Sequence, residues 1–149
     1  LAMLVGFLAL IALVDFMLGG IGGWFGNPDL SLQTILGWVF AGFAWAMGVP
    51  SNEILTAGSL MGLKLAANEF VAYVELSQIK DTLSPKALAI VSFALCGFAN
   101  FGSVGIQIGG IGALEPERRA DLARLGFRAL IAGTLASYLS ATLAGMMVS

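Results

Sequence analysis

The sequence predicts an all-α integral membrane fold, with transmembrane helices, a re-entrant helical hairpin and a discontinuous helix. Three observations carry that reading. Of 149 residues, 58% are hydrophobic and 11% charged, at a mean hydropathy of +0.93. A soluble domain carries about 25% charged residues. The apolar residues gather in continuous runs rather than in barrel-type alternation, so helices are the spanning elements. Two polar islands, Asn68-Glu69 and Asn100-Phe-Gly-Ser103, interrupt these runs. In hydrocarbon such groups cost several kcal/mol unless a cavity or a partner receives them.

Residues 1–25 are apolar apart from Asp15, enough to cross a core of roughly 30 Å with some tilt. No second polar residue accompanies Asp15, so a structural partner elsewhere in the bundle is expected for it. Gly19-Gly20, Gly22-Gly23 and Gly26-Asn27-Pro28-Asp29 end the segment. The chain enters this span with no basic leader or cleavage site, which suggests a piece of a longer protein. Residues 32–49 are apolar but interrupted by Gly37, Gly42 and Gly48. Trp38 and Trp45 give an interfacial helix as the first reading and a short span as the second.

Residues 50–77 hold two apolar arms, 54–63 and 70–76, each too short to span. Lys64 and Asn68-Glu69 lie between them, the pattern of a re-entrant hairpin with a polar tip. Ser51 is the expected N-cap of the first arm and Asn68 of the second. Residues 77–86 read as a polar surface loop. Residues 87–114 carry no charge, and as one straight helix their length is about 42 Å, beyond the core thickness. A break is expected among Gly97, Asn100, Gly102, Ser103 and Gly105, as in discontinuous transporter helices. A loop at 115–119 precedes a last span at 130–148. Arg118, Arg119, Arg124 and Arg128 place that loop in the cytoplasm and the hairpin mouth outside.

Several chemistries are excluded. Histidine is absent and Cys96 stands alone, which removes His/Cys metal clusters, Cys-His and Ser-His sets and disulfides. Cys96, in an apolar run, is expected as a small buried hydrophobe. No basic run suits nucleic acid. The glycines of 105–112 lack a preceding strand, and 58–64 lacks the Lys-Ser/Thr ending of a phosphate loop. The chain is not read as an enzyme.

What remains are the islands. Glu69 is a carboxyl paired with Lys64 or protonated against a neighbouring backbone, or else a carboxylate offered to a ligand at the hairpin tip. Asn100 and Ser103, three apart, share a face if the backbone is helical there, either bonding another helix or a solute. Flanking glycines allow unwinding and close approach. Asn68 is a cap first and a ligand second, and Phe98 is packing or a wall beside a bound solute.

Val49-Pro-Ser-Asn-Glu53, Gly62-Leu-Lys64, Asn68-Glu-Phe-Val-Ala-Tyr73, Ala94-Leu-Cys-Gly-Phe-Ala-Asn-Phe101, Gly105-Ile-Gln-Ile-Gly-Gly-Ile111, Arg118-Arg-Ala-Asp-Leu122 and Ala132-Gly-Thr-Leu135 together resemble the C-terminal half of the concentrative nucleoside transporter family. The resemblance covers essentially the whole chain. It implies a scaffold helix at 1–26, an interfacial region at 27–49 and part of a transport domain at 50–149. That part comprises a re-entrant hairpin (50–77), a broken helix (86–114) and a last transmembrane helix (119–148).

By the same resemblance Glu69, Asn100 and Ser103 meet ribose hydroxyls, and Phe98 lies beside the sugar. Val104 stands where an isoleucine is usual. The family's nucleobase-reading segment and most of its cation ligands fall outside this chain. The expected function is therefore the ribose-binding part of a sodium- or proton-coupled nucleoside symporter with elevator-type movement. No cofactor is implied beyond that coupling cation. The expected partners are nucleoside and lipid, with a homotrimer for the full-length protein, multi-pass in the inner (plasma) membrane. The alternative is a non-transporting gate or scaffold module built on the same helices.

Overall fold

The computed structural model describes residues 2–27 and 29–148, without the side chains of 2–4 and 6–8. Leu1, Pro28 and Ser149, which the predicted boundaries include, lie outside the described residues. Among those described, all regular structure is helical.

Helix α1 (Ala2–Trp24) ends in a glycine turn. Asn27 N donates to Gly22 O at 2.8 Å around Gly26, whose φ of 79° suits a residue without Cβ. Asp15 on α1 finds the expected structural partner. Its Oδ1 accepts from Leu32 N at 2.7 Å, so it caps α2 (Leu32–Ala46) together with Ser31, whose hydroxyl accepts from Thr34 N.

Helices α3 (Ile54–Ala66) and α4 (Glu69–Ile79) form the hairpin, turning at Ala67 and Asn68. Its arms are longer than predicted. Ser51 caps nothing: it is exposed in a turn, and α3 starts after Glu53, which makes no side-chain cap bond. The Glu53 carboxylate instead accepts from Ser84 N at 2.9 Å and Ser84 Oγ at 2.7 Å. That bond joins the base of the hairpin to α5 (Pro85–Leu95), whose N-cap is Ser84. The loop expected at 77–86 is accordingly shorter, because α4 runs on and a 3₁₀ turn (Lys80–Thr82) completes the connection.

The charge-free stretch does break. α5 stops at Leu95 and α6 (Phe101–Leu114) starts afresh after Asn100. The interruption is narrower than predicted, since Gly102, Ser103 and Gly105 lie within α6. A 3₁₀ turn (Pro116–Arg118) leads into α7 (Arg119–Met147), 29 residues long and apolar enough to cross a membrane.

The core is built largely from small residues. Ala44, Ala57, Ala72, Ala87, Ala94 and Ala141 are fully buried, letting helix backbones approach closely as lipid-embedded packing favours. α2 and α3 cross at Gly37, Gly58 and Gly62, where a Cβ on Gly62 meets Leu36 Cβ at 2.8 Å. The glycines of 58–64 are therefore a helix crossing.

Candidate functional site

The break in the long helix has a local cause. Gly97 takes φ of 126°, a conformation side chains rarely adopt, and directs the chain away from the α5 axis. Asn100, extended at φ −146° and ψ 163°, then restarts the helix: its Oδ1 accepts from Ser103 N at 2.7 Å. The hairpin tip uses the same device. Asn68 is extended and its Oδ1 accepts from Val71 N at 2.9 Å, so α4 begins at Glu69.

These two helix starts meet. Asn100 Nδ2 donates to Glu69 Oε2 at 2.8 Å. The positive ends of α4 and α6 thus converge on one carboxylate, an arrangement that favours negative charge. Asn100 is 1% exposed, whereas Glu69 is half-buried. Among the described residues Glu69 Oε1 has no hydrogen-bond partner and is not sealed from solvent. A carboxylate with one oxygen fixed and one free is an acceptor waiting for a hydroxyl or N–H donor.

Lys64 is not the hydrogen-bond partner of Glu69. Its Nζ donates to Ala94 O at 3.0 Å from a position 1% exposed. Ser103 is half-buried at the first turn of α6. With Phe98, Val104 and Gln107 it lines a cavity of about 410 Å³ between α6 and α7. Phe98 is 77% exposed on the unwound segment, and neither Glu69 nor Asn100 lines that cavity. Asn68 has its carbonyl oxygen engaged in the cap. Cys96 is exposed, not buried as expected, because the helix ends beneath it.

Sequence reasoning missed three contributors. Tyr73 Oη donates to Ser92 O at 2.6 Å, Ser137 Oγ reaches Cys96 O at 2.9 Å, and Lys64 takes Ala94 O. All three grip backbone carbonyls. The signal available was Lys64 itself, a charge in an apolar arm whose partner is a main-chain atom and so leaves no mark in the sequence. Among the described residues no group of three acidic, Cys or His side chains suits a metal ion.

Comparison with known proteins bears on this geometry. Residues 1–145 match the family described as Na+ dependent nucleoside transporter C-terminus. An uncharacterized transporter of Haemophilus influenzae is 50% identical, over 99% of this chain and 37% of that protein. The nucleoside permease NupC of Helicobacter pylori is 42% identical, over 99% of this chain and 36% of its own length. A solved structure of a CNTnw variant in an intermediate state superposes with a TM-score of 0.90 at 51% identity, covering 99% of this chain and 37% of that one. The chain spans just over a third of the length of these relatives.

Proposed function

The chain belongs to the Na+ dependent nucleoside transporter C-terminus family, and its fold is that of an all-α membrane protein; on that premise we propose that it is the C-terminal part of a cation-coupled nucleoside symporter and supplies the ribose-binding part of the substrate site. Glu69 accepts from a ribose hydroxyl through its free oxygen. Asn100 holds the carboxylate in place and presents its remaining amide hydrogen. Ser103 adds a hydroxyl at the first turn of α6, Phe98 walls off the sugar, and Asn68 fixes the start of α4 from which Glu69 projects.

The observation that carries this reading is the meeting of two helix starts at a half-open carboxylate. A pure scaffold or gate module has no use for an acceptor oxygen left free in such a place. In the proposed protein, residues 1–26 and 27–49 are scaffold and interfacial helix. Residues 50–149 belong to the moving domain, with 50–77 re-entrant, 86–114 the broken helix and 119–148 the last transmembrane helix. The assembly is a homotrimer in the inner membrane working by elevator-type alternating access.

The coupling cation, sodium or proton, is bound mostly by residues outside this chain. It acts by linkage: the cation stabilises the geometry that takes nucleoside, and nucleoside tightens the cation in return.

The test is equilibrium nucleoside binding to the full-length protein. Glu69→Ala and Asn100→Ala each lower affinity by at least about 1–3 kcal/mol, the penalty of an unpaired buried partner. A site matched to hydroxyls also rejects a nucleoside lacking them by orders of magnitude. Wild-type affinity in both variants rules the assignment out.

A further inference from the structure

Where α5 unwinds, the carbonyls of its last turn lose their helical partners. Three side chains from three other helices receive them: Tyr73 of α4 at Ser92 O, Lys64 of α3 at Ala94 O, and Ser137 of α7 at Cys96 O. Two of these are neutral hydroxyls. Lys64 is different, because among the described residues it is the largest fully buried side chain, and it brings a charge.

Desolvating an ammonium costs several kcal/mol, which capping a carbonyl does not by itself require. The charge has two complements. One is the negative end of the α5 dipole, on which Nζ sits directly. The other is Glu69, the acidic residue that opens α4 across the hairpin tip from Lys64. The ammonium therefore sits on a carbonyl at the end of α5 while the tip of its own hairpin carries an acid, and it is tethered to that hairpin.

The two contacts bracket the interruptions. Lys64 precedes the hairpin tip and Glu69 follows it; Ala94 precedes the helix break and Asn100 follows it. The Lys64–Ala94 and Asn100–Glu69 bonds close both turns into one ring. We propose that Lys64 is a positioning residue for sugar recognition, a built-in cation that pins the hairpin arm to the end of α5 so that the unwound segment delivers Asn100 to Glu69. This rests on the ribose reading above.

The experiment uses the full-length protein carrying Lys64→Met, which keeps the bulk and removes the charge and donor. Binding of a ribonucleoside and of its 2′,3′-dideoxy analogue is measured side by side. Lys64→Met lowers ribonucleoside affinity at least about tenfold while leaving the dideoxy analogue within about twofold, so the discrimination ratio collapses. Equal losses for both ligands, or an unchanged ratio, overturn the proposal. If Lys64→Met does not fold, Lys64→Gln, neutral but still a donor, is read by the same ratio. A wild-type protein that does not distinguish the two ligands overturns the ribose reading itself, and the proposal falls with it. In that case Glu69→Ala leaves the ratio unchanged as well.

Discussion

Glu69 and Asn100 stand 31 positions apart, at the starts of two different helices, and the amide of one holds the carboxylate of the other at 2.8 Å. Asn100 does two jobs at once, since its other side-chain atom caps α6 at Ser103 N. The jobs separate by mutation. Asn100→Ala removes both, costing about 2–4 kcal/mol of stability from the lost cap and the lost bond to a carboxylate. Asn100→Asp keeps a good cap but sets a second carboxylate against Glu69. Thermal unfolding of the full-length protein in detergent should show both variants melting below wild type, with Asn100→Asp alone losing further stability as pH rises and its carboxylate ionises against Glu69, while both lose nucleoside affinity. An Asn100→Asp variant that binds as wild type would show that the Glu69 contact is not needed for binding.

Gly97 sets the direction of the unwound segment. At φ 126° a Cβ is strained, and it lies 3.0 Å from Ser137 Oγ, the hydroxyl that holds Cys96 O. Gly97→Ala should cost about 1–3 kcal/mol of stability and weaken nucleoside binding by misplacing Asn100. Ser137→Ala removes the obstacle and the hydroxyl together, so it does not rescue Gly97→Ala. Thermal melting of the single and double variants checks both statements.

The cap at Asn68 was legible in the sequence because an Asn before an apolar run is a local signal, needing only its own next three residues; the same signal at Asn100 was passed over, since Asn100 reads there as a hydrogen-bonder to another helix or a solute. The break was legible from equally local residues, although its width was not. Gly102 and Gly105 are permissive residues that the restarted helix absorbs. What failed depended on distance. Ser51 reads as a cap, yet α3 is positioned by Glu53 reaching Ser84, 31 residues on. Lys64 is one partner the sequence offers Glu69, yet its hydrogen bond goes to a backbone carbonyl that any residue at position 94 would supply. Cys96 reads as buried because its neighbours are apolar, and the helix end that exposes it is a matter of backbone geometry.

Glu53 and Ser84 make the next prediction. The carboxylate is 8% exposed and accepts from both the backbone N and the hydroxyl of Ser84. Glu53→Gln keeps the shape and, with its oxygen on Ser84 N, lets its amide nitrogen donate to the Ser84 hydroxyl, so what is lost is the charge on the acceptor. A loss of about 1 kcal/mol is expected, the difference between bonds to charged and to neutral acceptors. Ser84→Ala removes one of the two bonds and the α5 cap, leaving the backbone N in place, and should cost about 0.5–2 kcal/mol. Because the residues share one interaction, the double variant should cost less than the sum. Additive losses in thermal melts would mean that the two side chains act independently.

The crossing of α2 and α3 gives a prediction in which glycine position, not glycine number, decides the sign. A Cβ on Gly58 collides with Gly37 O and Ala41 N across the interface, and neither backbone atom can move without shifting a helix. Gly58→Ala should therefore destabilise by about 1–3 kcal/mol, the usual cost of overpacking. Gly42 lies on the same helix pair, with nothing within 4 Å of its virtual Cβ. There alanine adds helix propensity and no clash, so Gly42→Ala should raise stability by up to about 1 kcal/mol. Both substitutions add the same methyl group to the same kind of helix, so any difference reports the crossing alone. Thermal unfolding of the two variants under one detergent condition measures it. Equal shifts would mean that α2 and α3 have room to separate, and that the hairpin is anchored instead by its bonds to α5 and α6.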